Sequence, residues 1–332
     1  MNSSWRQHLT ARGWRDAQRG AWRPPTPAIA PVEWVETGHL GVLELMGPDA
    51  RSFLQGYVTC DLDELEPGRA LEGGYCTLQG RLVTDFVVFE HATALRLILD
   101  RSVTTGVMKS LSKYLMFSKS RLTDKSDELV VFGLIESNGT REEPLPGPHE
   151  ATPYGDGTAV GLPGGVPRAL VVTSADDAAA SLDAAASAGD RAVWDRIDID
   201  AMIAHVTEPT SETFLPQMWG LEERGAISFT KGCYLGQEVV ARAQHRGQVK
   251  RGLGRLMWRG KAPTTGLVIR EAQGTASATV VSTVTTARAE GLAEGLAEGL
   301  AEGLAEGLAL AIGPTAAWTT PLHADGVTFN PA

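Results

Sequence analysis

Cys233 is the side chain best placed to do covalent chemistry. It lies in the run Lys231-Gly232-Cys233-Tyr234-Leu235-Gly236-Gln237-Glu238, and Gly236 opens a helix expected to reach His245. A thiol near a helix N-terminus and two residues from Lys231 meets positive potential, which favours the reactive thiolate. The plain alternative is a buried structural cysteine, the usual fate of a lone one. Asp85 is the second candidate, a carboxylate inside the apolar strand Arg81 to Phe89. Unpaired in a core it would be costly, so it must face solvent, a partner or a pocket. Asp198 and Asp200 alternate with Ile197 and Ile199, which reads as a solvated face.

These residues need elements to hold them. Leu40 to Leu45 alternates as a strand, and Ala50 to Tyr57 reads as a short helix after Gly47-Pro48-Asp49. Asp100 is a natural N-cap for a helix through Val103, Val107, Leu111 and Leu115. Leu129 to Ile135 is another strand, and the Pro/Gly-rich stretch from Pro144 to Pro167 reads as a loop or domain crossing. Ser174 with Asp177 caps an Ala-rich helix ending near Gly189. Alternating strands and helices of this size give α+β or α/β domains. Past Arg251, short Thr/Val/Ile segments broken by Gly and Pro predict a small β domain. The Ala-Glu-Gly-Leu repeat from Ala289 to Leu308 would put five glycines in a helix, and as a strand it is not amphipathic. It reads as an expanded loop between strands Thr279–Thr285 and Leu308–Ile312.

Composition narrows the function classes. The 332 residues are 43% hydrophobic and 21% charged, ordinary values for globular proteins, and they suffice for two or three domains. The longest apolar run is strand-sized, so no membrane span is expected. A net charge of -10 argues against a dedicated nucleic-acid coat, although Lys231 to Lys261 carries eight basic residues against Glu238 alone. Three scattered cysteines without Cys-x-x-Cys exclude a disulfide framework and a zinc ribbon, and point to a reducing compartment. No phosphate-binding glycine loop, zincin motif or nucleophile elbow is present, and no metal site is expected. The first 25 residues hold five arginines against Asp16, together with Trp5, Trp14 and Trp22. They read as an extension folding partly onto the body, or as an organellar transit peptide.

The octapeptide from Lys231 to Glu238 resembles the Lys-Gly-Cys-Tyr-x-Gly-Gln-Glu signature of the YgfZ folate-binding proteins, relatives of the glycine cleavage T-protein (aminomethyltransferase). The resemblance extends over Gly47-Pro48-Asp49-Ala50 with Phe53 to Gly56, and over Gln79-Gly80-Arg81 through Asp85. It continues over Lys113-Tyr114-Leu115, over Phe214-Leu215-Pro216-Gln217 and on to Arg251. It implies an α+β fold, a three-domain ring of two α+β domains, one ferredoxin-like, plus a C-terminal β-barrel. The implied boundaries are a basic extension over 1–28, a folate-binding region over 29–250, and a barrel over 251–332 with a low-complexity insertion at 289–308. Within 29–250, residues 29–125 join 192–250, and 126–191 form the other domain.

The implied role is a tetrahydrofolate-binding (or one-carbon-derivative-binding) accessory protein of iron–sulfur cluster assembly or repair, without a defined turnover. Its clients would include a tRNA methylthiotransferase. Expected partners are folate and iron–sulfur client proteins or assembly factors, with no membrane; direct RNA binding is not expected. The implied place is the bacterial cytoplasm, with the mitochondrial matrix as the alternative. Cys233 would supply the functional thiol, with Lys231 favouring its thiolate. Asp85 would stand beside the reactive folate nitrogens, where a carboxylate could handle a proton. Asp198 would clasp the pterin by a two-point pairing, one methylene shorter than the Glu common there. Tyr234, Gln237, Glu238 and Arg242 would reach the ligand or hold the first helical turn. The alternative is a folate-dependent aminomethyltransferase with Asp85 as general acid/base. Arg196 to Met202 departs from the family's Arg-Ile-x-x-Gly-x-Pro, which questions the turn beside Asp198.

Overall fold

The computed structural model describes residues 2–16, 22–25, 32–136, 144–245, 250–272, 277–288 and 305–332. Three units surround a central chamber. The first is a five-stranded antiparallel sheet in the order Ala70–Cys76, Leu82–His91, Ala94–Asp100, Leu40–Met46, Arg121–Asp124. Its outer face is covered by the helices Ala50–Gln55 and Thr104–Leu115, whose Leu54, Val107 and Leu111 join Leu43, Leu97 and Val88 in one core. Asp100 does cap, but through a short 3-10 turn, its Oδ1 accepting from the Ser102 N–H at 2.9 Å.

The second unit is a six-stranded sheet in the order Ala151–Tyr154, Gly157–Leu162, Arg168–Thr173, Val130–Ile135, Trp34–Glu36, Ala188–Gly189. Two of these strands correct the loop expected between Pro144 and Pro167. They form a hairpin around Gly155-Asp156, with Tyr154 opposite Gly157. The strands of this unit are apolar on both faces because both faces are covered. One packs against the first sheet through Val35, Val131, Leu170 and Val172 against Val42, Phe89 and Ile98.

The other face is covered by the helices Ser3–Ala11 and Ala175–Ala184. The second begins as expected, with the Asp177 N–H donating to Ser174 Oγ at 3.2 Å. The N-terminal tryptophans are part of this core. Trp5, Trp14 and Trp22 are buried in one cluster with Trp34 and Phe132, and Trp34 stacks on Phe132 at 5.2 Å. Removing the segment before Pro25 would strip three aromatic rings from a packed sheet face.

The third unit is a closed six-stranded barrel, Arg251–Gly260, Ala305–Pro314, Ser277–Arg288, Val268–Glu271, Leu322–Ala324, Val327–Pro331, filled by Trp258, Ile269, Val280 and Phe329. Residues 289–304 of the repeat lie outside the described residues; its last unit, Ala305 to Leu308, begins a barrel strand. Between the units sits a hub where Leu82, Ile199, Val206, Trp219 and Val240 meet Val281, Leu310 and Ile312 of the barrel. No helix among the described residues is long and apolar enough to cross a membrane.

Candidate functional site

Asp85 points inward from the strand Leu82–His91 and is 8% exposed. Its carboxylate is fully engaged: Oδ2 is 2.6 Å from His205 Nδ1, and Oδ1 accepts from the Val206 N–H at 2.7 Å. Of the fates open to an acid in an apolar strand, two are realised together: a partner, and a place in the wall of a pocket. Burial works to raise the Asp85 pKa, but the His205 charge and hydrogen bond, with Arg224 and the Val206 N–H, outweigh it and hold it below 3.8.

Asp198 is not on a solvated face. The helix Arg191–Asp200 turns it inward, where it is 4% exposed, while Asp200 stays outside. Its Oδ1 pairs with Arg168 Nη2 at 2.6 Å, and its Oδ2 lies 3.6 Å from His205 Nε2. A carboxylate already shared between two cations is not free for the two-point pterin clasp. Burial opposes the ionised form here too, and Arg168 and His205 win, lowering its pKa.

The doubtful turn closes as a helix C-cap. Met202 N–H donates to Ile199 O at 3.1 Å and Ile203 N–H to Asp198 O at 2.8 Å, the double bond of a Schellman motif. Met202 takes the left-handed position (φ 58°) usually given to glycine. The chain then runs back along the site and delivers His205.

His205 and Arg168 are the two residues that sequence reading missed. His205 bridges both carboxylates; burial would lower its pKa, but the Asp85 charge and the bonds to both acids raise it to about 10. Arg168 is 2% exposed, stacks over Trp194 at 4.8 Å, and keeps Nε and Nη1 without a hydrogen-bond partner. An arginine inside the apolar run Arg168 to Val172 was the available signal, the same that singled out Asp85. Nothing local marks His205.

Two connected spaces adjoin this relay. The outer chamber, about 540 Å³, is bounded by Asp100 and Arg101 of the first unit, Arg191, Asp195 and Asp198 of the helix Arg191–Asp200, and Thr264, Val281 and Ser282 of the barrel. Its size falls in the range of small-molecule sites. Burial lifts Asp195 in its wall to about 6, against the pull of Arg191. The inner cleft, about 40 Å³, lies between Asp85, Phe86 and Ile98 on one side and Arg168, Leu170 and Trp194 on the other.

The octapeptide lies elsewhere. Lys231 is buried, and its ammonium reaches Gln55 O at 2.8 Å, Gln55 Oε1 at 2.9 Å, Val58 O at 3.0 Å and Cys60 O at 2.6 Å. This corrects the expected role beside the thiol: Lys231 pins the 55–60 segment, and no hydrogen bond joins it to Cys233 among the described residues. Burial also depresses its pKa. Cys233 is exposed, whereas burial pushes Cys60 and Cys76 up to about 12.

Gly236 precedes the helix Gln237–His245 at φ +81°, and a Cβ there would stand 2.4 Å from Thr77 O. Gly80 packs against the same turn, so two blocks far apart in sequence touch where only glycine fits. The Tyr234 ring lies under the Lys231 ammonium at 5.5 Å, and burial raises its hydroxyl pKa. Gln237 Oε1 accepts from the Tyr234 N–H at 3.3 Å, and Glu238 pairs with Arg242 on the helix surface. Of the six residues expected to hold ligand, only Asp85 and Asp198 line these spaces. Tyr234, Gln237, Glu238 and Arg242 build the motif loop instead.

No protein-family profile matches the chain. Individual proteins do. The chain is 36% identical over 226 residues to the tRNA-modifying protein YgfZ of Edwardsiella ictaluri, covering 64% of this chain and 66% of that protein. It is 33% identical over 222 residues to the same-named protein of Vibrio vulnificus (66% and 68% covered). With that of Cronobacter sakazakii it shares 32% over 239 residues (70% and 73%). Among solved structures, the glycine cleavage system aminomethyltransferase T of Bartonella henselae superposes with a TM-score of 0.68. That match is 12% identical and covers 100% of this chain and 96% of that one. The fold is thus the three-unit T-protein architecture, and the sequence relatives narrow it further. The chain belongs to the YgfZ family.

Proposed function

We propose that this protein binds a reduced folate in the chamber between its three units, without transferring the one-carbon group, and serves iron–sulfur cluster maintenance and tRNA modification in the bacterial cytoplasm. The T-protein architecture and the YgfZ relatives support the folate and the pathway. The chamber's volume suits a small-molecule ligand, and in the adjoining inner cleft Arg168 keeps Nε and Nη1 unpartnered, donors that fit a flat heterocycle bearing carbonyl and ring-nitrogen acceptors. Arg168, Asp85, Asp198 and His205 are the groups that would meet it, and the folate would supply a carrier for one-carbon units.

One observation favours binding over transfer. Asp85 spends its two oxygens on an imidazolium and a backbone N–H. Held so, the carboxylate is a weak proton acceptor, and a ligand N–H taking the imidazole's place would keep it occupied. Cys233, exposed on the motif loop and absent from the chamber wall, would act on a client in a separate step.

Calorimetric titration with tetrahydrofolate tests this reading. A Kd on the order of micromolar in the wild type, retained in Cys233→Ser, is expected. No binding sinks the folate assignment. Formation of 5,10-methylene-tetrahydrofolate from an aminomethyl donor would instead make the protein an aminomethyltransferase.

A further inference from the structure

His205 stands on the boundary between the outer chamber and the inner cleft, lining both. Its side chain is 38% exposed and is held by the two acids, Nδ1 hydrogen-bonded to Asp85 Oδ2 at 2.6 Å and Nε2 3.6 Å from Asp198 Oδ2. Behind it the cleft has apolar walls and about 40 Å³ of room, enough for a few waters and far too little for a two-ring heterocycle. Yet the cleft holds the strongest recognition groups on the page. The unpartnered N–H groups of Arg168 are there with Asp85, Asp198 lines the chamber beside it, and each of the two carboxylates turns an oxygen to the imidazole.

Resting on the folate reading, we propose that His205 is a gate that stands in for the ligand's N–H donors and swings out of the Asp85–Asp198 clamp when a pterin head group enters. The ligand's ring and amino N–H groups then take the two vacated carboxylate oxygens, and its carbonyl faces Arg168. The Val206 N–H stays on Asp85, so only the imidazole side chain needs to move. Once out of the clamp the imidazolium has lost its direct contacts with both carboxylates, and it gives a proton to solvent.

The charges around His205 make this exchange selective. Asp85 comes from the strand Leu82–His91, Asp198 and Asp195 from the helix Arg191–Asp200, and Asp100 from the strand Ala94–Asp100. His39 faces it as well, Arg168 and Arg191 stand behind these acids, Glu72 and Arg224 line the cleft and Arg101 and Glu208 the chamber, and the barrel wall opposite is Thr264, Val281 and Ser282, without charge. In the clamp His205 titrates at about 10, and away from Asp85 and Asp198 that upward pull is lost.

The test is titration of the full chain with tetrahydrofolate at several pH values, in buffers of different ionisation enthalpy. Close to one proton released per ligand at pH 8 is expected, with affinity rising roughly tenfold per pH unit between about pH 7 and 9. His205→Ala should bind more tightly at pH 7 and show a flat profile. The wild-type proton count needs no variant, so a poorly folded His205→Ala leaves the test intact. Binding without proton release overturns the gate and spares the folate reading, whereas no binding at any pH removes both.

Discussion

Replacing Lys231 separates two roles that the octapeptide alone leaves entangled. The ammonium has three protons and serves four oxygens, at 2.6 to 3.0 Å. Lys231→Met keeps most of the buried stem and deletes the donors. Gln55 Oε1 retains the Leu62 N–H at 2.8 Å, so the loss falls on the carbonyls of Gln55, Val58 and Cys60. A buried acceptor left unsatisfied costs about 1–3 kcal/mol, and water can recover part of that, which gives about 3 kcal/mol for the three. At roughly 2–4 °C per kcal/mol, the melting temperature should drop by roughly 6–12 °C. The thiol should not respond: Cys233 is the exposed one of three cysteines, and its alkylation by iodoacetamide in native buffer should proceed within about twofold of the wild-type rate. An unchanged melting temperature with alkylation slowed about tenfold would refute the reasoning and return Lys231 to the thiol.

Three further outcomes follow from the packing and the charges. Trp5→Ala should cost about 3–5 kcal/mol in urea unfolding, because the ring is 2% exposed against Trp34; a loss below about 1 kcal/mol would mean the N-terminal helix is not part of the folded core. Arg168→Ala leaves the buried Asp198 carboxylate without its cation and should cost about 3–5 kcal/mol, most of it regained in Arg168→Met combined with Asp198→Asn; an additive double mutant contradicts the pairing. Stability should also depend on pH through the His205 pair. The folded pKa of His205, about 10, exceeds its unfolded 6.5, so its contribution is complete below pH 6.5 and lost as pH rises through 10. That of Asp85, whose pKa is lowered, is present above pH 3.8 and lost as pH falls through its folded value. Urea midpoints at pH 6, 8 and 10 should fall in the wild type and stay flatter in His205→Ala.

Local signals were read well where a local cause sets the structure. Gly236 opens its helix because a left-handed residue there needs no Cβ, and Ser174 caps because its hydroxyl meets an N–H three residues on. The strand around Asp85 followed from its β-formers and flanking glycines, with ends within two residues of those expected. The hairpin at Gly155 was hidden by its own glycines and prolines, which mark a turn and a loop alike. Asp198 was misplaced because Ile-Asp-Ile-Asp alternates as a strand does, while the helix there is set by Asp190, which caps it through the Ala192 N–H.

By itself, the sequence determined the family, through a motif in which Gly236 answers to a close approach of Thr77 and Gly80 and Lys231 to the oxygens of residues 55–60. It also determined that Asp85 could not sit unpartnered, because burying a lone carboxylate is costly in any fold. Only the tertiary structure decided what partners it has. Asp85 and His205 are 120 residues apart, and Arg168 meets Asp198 from a different element. Ion pairs between distant elements leave no periodicity in the chain, since the attraction depends on distance in space and the residues between them are free to vary. The same reason keeps Cys233 out of the chamber wall and makes Lys231 a clamp on another segment: an ammonium goes to whichever oxygens the fold brings within reach, and here those belong to residues 55–60.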